Sequence, residues 1–336
     1  MGFRIDKAQM NQFMNDLSDR FDFYAPRRFA GGSIYADADC VRYGRVKSID
    51  EVVFTEKASY SAREVVNPNA QTLLFFTEQE QKVADAPKKG RIIFLRSCDL
   101  NAMKRQDEMY LHNGPADYYY KRIRENTYFI LMGCSKSFEN CFCVSMGSNR
   151  ADSYDMSIDP ADEGFLIDVK NEEWREFFDG AEVLPVEPAC VTENELTVMI
   201  PEKLSNEVAK ASLWKSYNTR CIKCGRCTVV CPTCTCYTMQ DIYYTDNGKV
   251  GERRRVTASC MIDGYTTVAG GESYRNTPGE RMRFKVLHKV LNYKERFGYT
   301  MCVGCGRCDD VCPEYISFSN CVNQLGEAMK EVEANE

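Results

Sequence analysis

Cys221-Ile-Lys-Cys224-Gly-Arg-Cys227-Thr-Val-Val-Cys231-Pro232 and, further along, Cys302-Val-Gly-Cys305-Gly-Arg-Cys308-Asp-Asp-Val-Cys312-Pro313 are two copies of one string. Its form is C-x2-C-x2-C-x3-C-P, the run that holds [4Fe–4S] clusters. Three thiolates at steps of three surround three irons of a cubane, while the fourth, ahead of the proline, turns to the neighbouring cluster. The spacing therefore predicts two [4Fe–4S] clusters with crossed ligation. One takes Cys221, Cys224, Cys227 and Cys312; the other takes Cys302, Cys305, Cys308 and Cys231. Zinc is the competing reading, because C-x2-C pairs also build zinc ribbons. Zinc needs only four ligands, however, and has no use for a third C-x2 step or for a proline repeated in both copies.

The rest of the composition suits a redox protein of a reducing compartment. With 18 cysteines in 336 residues, the chain is far too long for a disulfide-stapled miniprotein. Its start, Met1-Gly-Phe-Arg-Ile-Asp-Lys, reads as a charged amphipathic segment rather than a secretory leader, so a cytoplasmic setting is expected. Apolar runs such as Tyr128 to Met132 fall far short of the roughly 20 residues of a spanning helix, and no direct membrane insertion is expected. A net charge of −6 and a pI near 5.3 argue against a nucleic-acid partner. No G-x-G-x-x-G or G-x-x-x-x-G-K-[ST] fingerprint occurs, so flavin and nicotinamide are expected on other chains. The two histidines, His112 and His288, offer no basis for a histidine metal centre or a Ser–His–Asp triad, and no catalytic residue is assigned.

Cysteine density divides the chain. Residues 1–200 read as an α/β domain: a helix from Asp6, with Met10, Phe13, Met14, Leu17 and Phe21 on one face, then strand-like runs at Val52–Thr55, Thr72–Thr77, Arg91–Arg96, Thr127–Met132 and Gly164–Val169. The second to fourth runs are apolar on both faces, as in a covered sheet, and Asp99–Arg124 supplies a crossover. Residues 201–336 read as an α-helical dicluster ferredoxin domain, with one helix over Ser205–Tyr217 and another opened by the capping box Thr277-Pro-Gly-Glu280 and closed at Gly298. Cys98 and Cys134 follow two predicted strands, and Cys141-Phe-Cys143 lies on the next loop. These four either hold a third iron–sulfur or metal site at the sheet edge or pack as small apolar groups. Cys234, Cys236, Cys260 and Cys321 read as packing residues. Gly225 and Gly306 let backbone amides approach cluster sulfides, and Arg226 and Arg307 occupy equivalent places, either near a cluster or in solvent and partner contacts.

Several stretches closely resemble the iron–sulfur electron-transfer subunit of anaerobic sulfite reductases. They are Cys224-Gly-Arg-Cys-Thr-Val-Val-Cys-Pro-Thr-Cys-Thr-Cys-Tyr, Gly251-Glu-Arg-Arg-Arg-Val-Thr-Ala-Ser-Cys-Met, Arg281-Met-Arg-Phe-Lys-Val-Leu-His-Lys-Val, the second motif through Cys321, and Phe94–Met103 with Met132–Gly147 in the N-terminal half. More distantly, the chain is similar to the β subunit of cytoplasmic sulfhydrogenases. The resemblance implies an iron–sulfur wire between a flavoprotein subunit that oxidises NADH with FAD and a sirohaem-containing subunit that reduces sulfite to sulfide. A sulfhydrogenase subunit is the near alternative; a non-redox structural or regulatory iron–sulfur or zinc protein is the distant one.

Overall fold

The computed structural model describes residues 1–33 and 37–335. Its larger sheet is built from β1 (Gly2–Ile5), β2 (Phe21–Phe29), β3 (Cys40–Val46), β6 (Gly90–Arg96), β7 (Thr127–Met132), β8 (Met156–Ala161), β9 (Gly164–Val169) and β10 (Glu182–Val183). The strands lie in the order β10-β1-β9-β8-β7-β6-β2-β3. The centre, β2-β6-β7-β8, is parallel, and antiparallel strands close both flanks. Alternation along the central strands explains the two cores. Ile92, Phe94, Ile130 and Met132 face the helix Lys7–Leu17 with Trp174 and Phe178, whereas Ile93, Leu95, Phe129 and Leu131 face Leu100, Met103 and Tyr120.

Asp6 starts the first helix as expected, through a capping box with Gln9, and Met10, Phe13, Met14 and Leu17 are buried. Phe21 is not on that helix; it opens β2, because the chain turns after Leu17 to enter the sheet. The crossover between β6 and β7 is built by the helices Ser97–Leu111 and Tyr118–Arg124. Two strand expectations need correction. Val52–Thr55 forms no strand, but follows a 3-10 turn at Ile49–Glu51. Thr72–Thr77 supplies most of β4 (Ala70–Phe76), yet lies outside the covered sheet, with Phe75 exposed.

That strand belongs to a smaller antiparallel sheet, made with β5 (Gln81–Val83), β11 (Tyr237–Tyr243) and β12 (Gly251–Thr257) in the order β11-β12-β4-β5. The sheet joins strands from both sides of residue 200, with a bulge at Arg253/Arg254. The segment after residue 200 is therefore not all-helical: a hairpin stands between its two cysteine strings. Ser205–Tyr217 also differs from the expected single helix. It forms 3-10 turns at Asn206–Lys210 and Ser212–Ser216, parted by an extended Ala211, and Trp214 Nε1 donates to Val208 O at 2.7 Å across the break. The later helix starts on the Thr277/Glu280 capping box, runs through Pro278–Leu287, widens into a π turn at His288–Asn292, continues over Tyr293–Phe297 and stops at Gly298 with φ +84°.

Candidate iron–sulfur centre

The two cysteine strings follow the same backbone path. Lys223 and Gly304 occupy equivalent left-handed positions (φ 57° and 62°), as do Gly225 and Gly306 (φ 76° and 71°). Each of the latter glycines starts a one-turn helix, Arg226–Val229 in the first copy and Arg307–Asp310 in the second, and the two turns pack on each other. Two hollows lie between them. One, of ≈470 Å³, is lined by Cys221, Cys224, Cys227 and Cys312, with Cys308 in its wall. The other, of ≈350 Å³, is lined by Cys231, Cys302, Cys305 and Cys308, with Cys227 in its wall. Cys312 of the second copy thus reaches the first hollow, and Cys231 of the first copy reaches the second. Among the described residues, no three Cys, His, Asp or Glu side chains converge on a point suited to one metal ion. The thiols instead border volumes.

Both hollows face one helix. Lys285 borders the two of them and Lys289 borders the second; both lysines are buried. Burial alone would depress the Lys285 ammonium pKa, but Cys227, Cys308 and Cys231 outweigh it and push the value well up. Burial likewise opposes ionisation of Cys231, yet Lys289 holds that thiol below its ordinary value. At Cys302 and Cys305 burial outweighs the nearby cations, Lys289 and Arg105 for the first and Arg307 for the second, and pushes the thiols up to about 11 and about 12. Lys289 Nζ also donates to Thr233 Oγ1 at 2.8 Å, fixing the ammonium beside the turn that follows Cys231. The lysine pair is therefore placed to offset thiolate charge in a region that excludes water.

The copies differ in their surroundings. The second is clamped to the N-terminal half: Phe142 N donates to Gly304 O at 2.8 Å, Ser148 Oγ donates to Val303 O at 2.6 Å, and Lys57 pairs with Asp310 at 2.6 Å. A Cβ at Gly306 would lie 2.2 Å from Asn140 O, and one at Gly304 would lie 2.5 Å from the Phe142 carbonyl. At Gly225 the nearest atom is only the tip of Ile262 at 2.7 Å, and Cys224 is exposed. Gly306→Ala should accordingly be far more damaging than Gly225→Ala. Both place alanine in a left-handed conformation costing roughly 1–2 kcal/mol, but only the former strikes backbone. Iron content of the two purified variants measures the difference; equal retention would contradict the clamp.

Arg226 and Arg307 are not equivalent in their environment. Arg307 forms a bidentate pair with Asp99, Nη1–Oδ1 2.6 Å and Nη2–Oδ2 2.7 Å, with both side chains buried. Its Nε donates to Ala58 O at 2.8 Å. It pins the two halves together, whereas Arg226 is half-exposed. The N-terminal cysteines gather on the same side, beyond the C-terminal ends of β6 and β7. Cys98 packs with Ala102 and Val303 against Cys305, and Cys141 Sγ lies 3.6 Å from Cys305 O. Cys134 neighbours Cys141 and the Arg96 guanidinium, and Cys143 neighbours both Cys134 and Cys141 while its Sγ meets Asn194 at 3.7 Å. Lys57 Nζ stands 4.0 Å from Cys141 Sγ. The sequence reading missed Asp99, Lys57, Lys285 and Lys289. The last two were signalled by lysines four apart on the stripe of Met282, Val286 and Val290, where a helix that buries this face should carry no charge.

Residues 220–316 match the family described as the 4Fe-4S dicluster domain. This segment is a 4Fe-4S dicluster domain. The whole chain is similar to sulfhydrogenase 2 subunit beta of Pyrococcus furiosus, at 29% identity over 97% of this chain and 98% of that protein. The relation to sulfhydrogenase β subunits expected from the sequence is thus shown along its length. No solved structure matches the chain. Among the described residues, no helix is long and apolar enough to cross a membrane. The donor set around the two hollows is all thiol, the ligand chemistry of an iron–sulfur cluster, and the dicluster-domain match supports iron–sulfur binding by this chain.

Proposed function

We propose that this chain is the electron-transfer subunit of a cytoplasmic anaerobic sulfite reductase complex, set between a flavoprotein subunit that binds FAD and NADH and a sirohaem-containing subunit. The supporting observation is the pair of thiol-lined hollows that share Cys227, Cys308 and Lys285, one held against the N-terminal half and the other opening at the exposed Cys224. Cys221, Cys224, Cys227 and Cys312 would hold one [4Fe–4S] cluster, and Cys302, Cys305, Cys308 and Cys231 the second. When bound, such clusters supply one-electron carriage, while the chain itself contributes burial, ammonium groups and a rigid frame. Residues 201–336 would form the cluster-bearing unit, and residues 1–200 an α/β unit with Cys98, Cys134, Cys141 and Cys143 as a third site. The gathering of those four thiols at one sheet edge beside Lys57, Arg96 and Arg307 supports that last assignment, the cations offsetting part of the burial that raises the Cys98 and Cys134 thiols. A sulfhydrogenase partner is the second reading, favoured by the similarity to a sulfhydrogenase β subunit.

Anaerobic iron and acid-labile sulfide analysis of the purified chain should give at least about eight irons, four for each complete quartet. A zinc-only protein, or one with about four irons, would refute the dicluster assignment. Sirohaem in the co-purified complex supports the sulfite reductase reading, and nickel without sirohaem the sulfhydrogenase one. The N-terminal site has its own check: Cys141→Ser should remove about four irons while leaving the reduced-state EPR signals of both motif clusters. Unchanged iron in that folded variant would make the four thiols packing residues.

A further inference from the structure

Cys234, Cys236 and Cys260, read from the sequence as packing residues, come together at the open end of the β11–β12 hairpin. The register pairs Tyr237 with Thr257, so Cys236 enters one strand as Cys260 leaves the other, and Ala258 N donates to Cys236 O at 3.0 Å. Cys234 hangs from the turn after Cys231, its amide donating to Cys231 O at 3.3 Å. Arg281 Nη1 holds Cys260 O at 3.2 Å, tying the third thiol to the helix that borders the two motif hollows. The side chain of Cys236 is within interaction reach of Cys234, Cys260 and the Tyr265 hydroxyl.

Cys260 belongs to the buried core and Cys236 packs on it, yet all three thiols also line one hollow. The hollow, ≈600 Å³, opens to solvent at one side. The same wall carries Lys285, Lys289 and His288. The two ammonium groups already face the motif thiols, and Lys289 faces Cys234 of this group as well, so the cation that serves Cys231 is also in place to offset thiolate charge here. His288 lies at the π turn, an irregularity frequent at functional sites, with its ring stacked on Phe284 at 5.6 Å. Among the described residues, the His288 ring nitrogens take no protein hydrogen-bond partner. As at the motif hollows, the donors border a volume and do not close on a point.

The geometry points to a further iron–sulfur cluster in this hollow, ligated by Cys234, Cys236, Cys260 and His288 and hydrogen-bonded at sulfur by Tyr265. Lys285 borders all three hollows, so the additional group sits against the same helix face as the two motif clusters. The site shares no ligand with either motif quartet or with the N-terminal thiols, so its loss is separable from theirs.

The test uses the full chain purified anaerobically, with Cys236→Ser/Cys260→Ala, His288→Ala and Cys231→Ser compared with the parent. The double variant should lose about four irons and as many sulfides while keeping the EPR signal that Cys231→Ser removes. Pulsed EPR of the reduced parent should show the nitrogen coupling of an iron-bound imidazole, and His288→Ala should abolish it. Full iron and sulfide in a folded double variant would overturn the assignment, as would loss of zinc without sulfide, or a parent without imidazole coupling. Should the double variant fail to fold, the nitrogen coupling and its dependence on His288 decide alone.

Discussion

Replacing Asp99 by alanine should destabilise the chain by about 3–5 kcal/mol, the usual consequence of leaving one member of a buried ion pair without its partner. The side chains of Arg307 and Asp99 are only 3% and 1% exposed, and the pair is bidentate. The stranded guanidinium would keep one bond to Ala58 O, with water excluded from the rest. Arg307 sits between Cys305 and Cys308, so the disturbance would pass directly to two thiols of the second hollow. A fall in the urea midpoint of the apo-chain, accompanied by loss of iron from the purified protein, is the expected reading. An apolar replacement of both partners, Asp99→Leu with Arg307→Met, should recover much of the midpoint, since the pair's net worth is small against the penalty of breaking it. A cost below about 1 kcal/mol for Asp99→Ala would be the behaviour of a solvated pair and would remove this contact from the clamp.

The cysteine spacing made the dicluster domain legible because a cluster fixes short-range sequence: the steps between thiols, the left-handed glycines and the terminal proline all lie within one loop. The helix from Thr277 was legible for the same reason, since its cap and its stop at Gly298 are local signals. What the sequence concealed depends on distant pairing. Thr72-Leu-Leu-Phe-Phe-Thr looks like a buried central strand, and only its partnership with Gly251–Val256 turns it into one strand of a half-exposed sheet. Asp99 resembles any acidic residue in the first turn of a helix until Arg307 is brought against it. Cys234, Cys236 and Cys260 read as separate packing residues because a hairpin of unremarkable sequence, with exposed Tyr237, Met239 and Tyr243, is what joins them. The placement of the thiols within each string was local; the relation of each string to the rest of the chain was not.

Cys231→Ser should remove a cluster from the copy of the motif to which Cys231 does not belong. Its thiol lines the hollow of Cys302, Cys305 and Cys308, while Cys221, Cys224, Cys227 and Cys312 keep a complete quartet around the other. Serine also withdraws the negative charge that offsets Lys289, whose ammonium would then be buried beside Thr233 with less compensation. The variant should therefore lose up to about four irons from the inner site while the outer one, near the exposed Cys224, still loads. In the sulfite reductase complex proposed above, sulfite reduction driven by NADH should be blocked, whereas an artificial donor feeding the proposed sirohaem partner directly should still support it. Cys312→Ser supplies the mirror case, emptying the outer hollow and sparing the inner. If Cys231→Ser instead abolished the outer signal and left the inner one, each string would hold its own cluster and the crossed assignment would be wrong. If NADH-linked activity survived the loss of the inner cluster, electrons would have to bypass Cys302, Cys305 and Cys308, and the route from the clamped half of the molecule to its surface would not run through the shared wall of Cys227, Cys308 and Lys285.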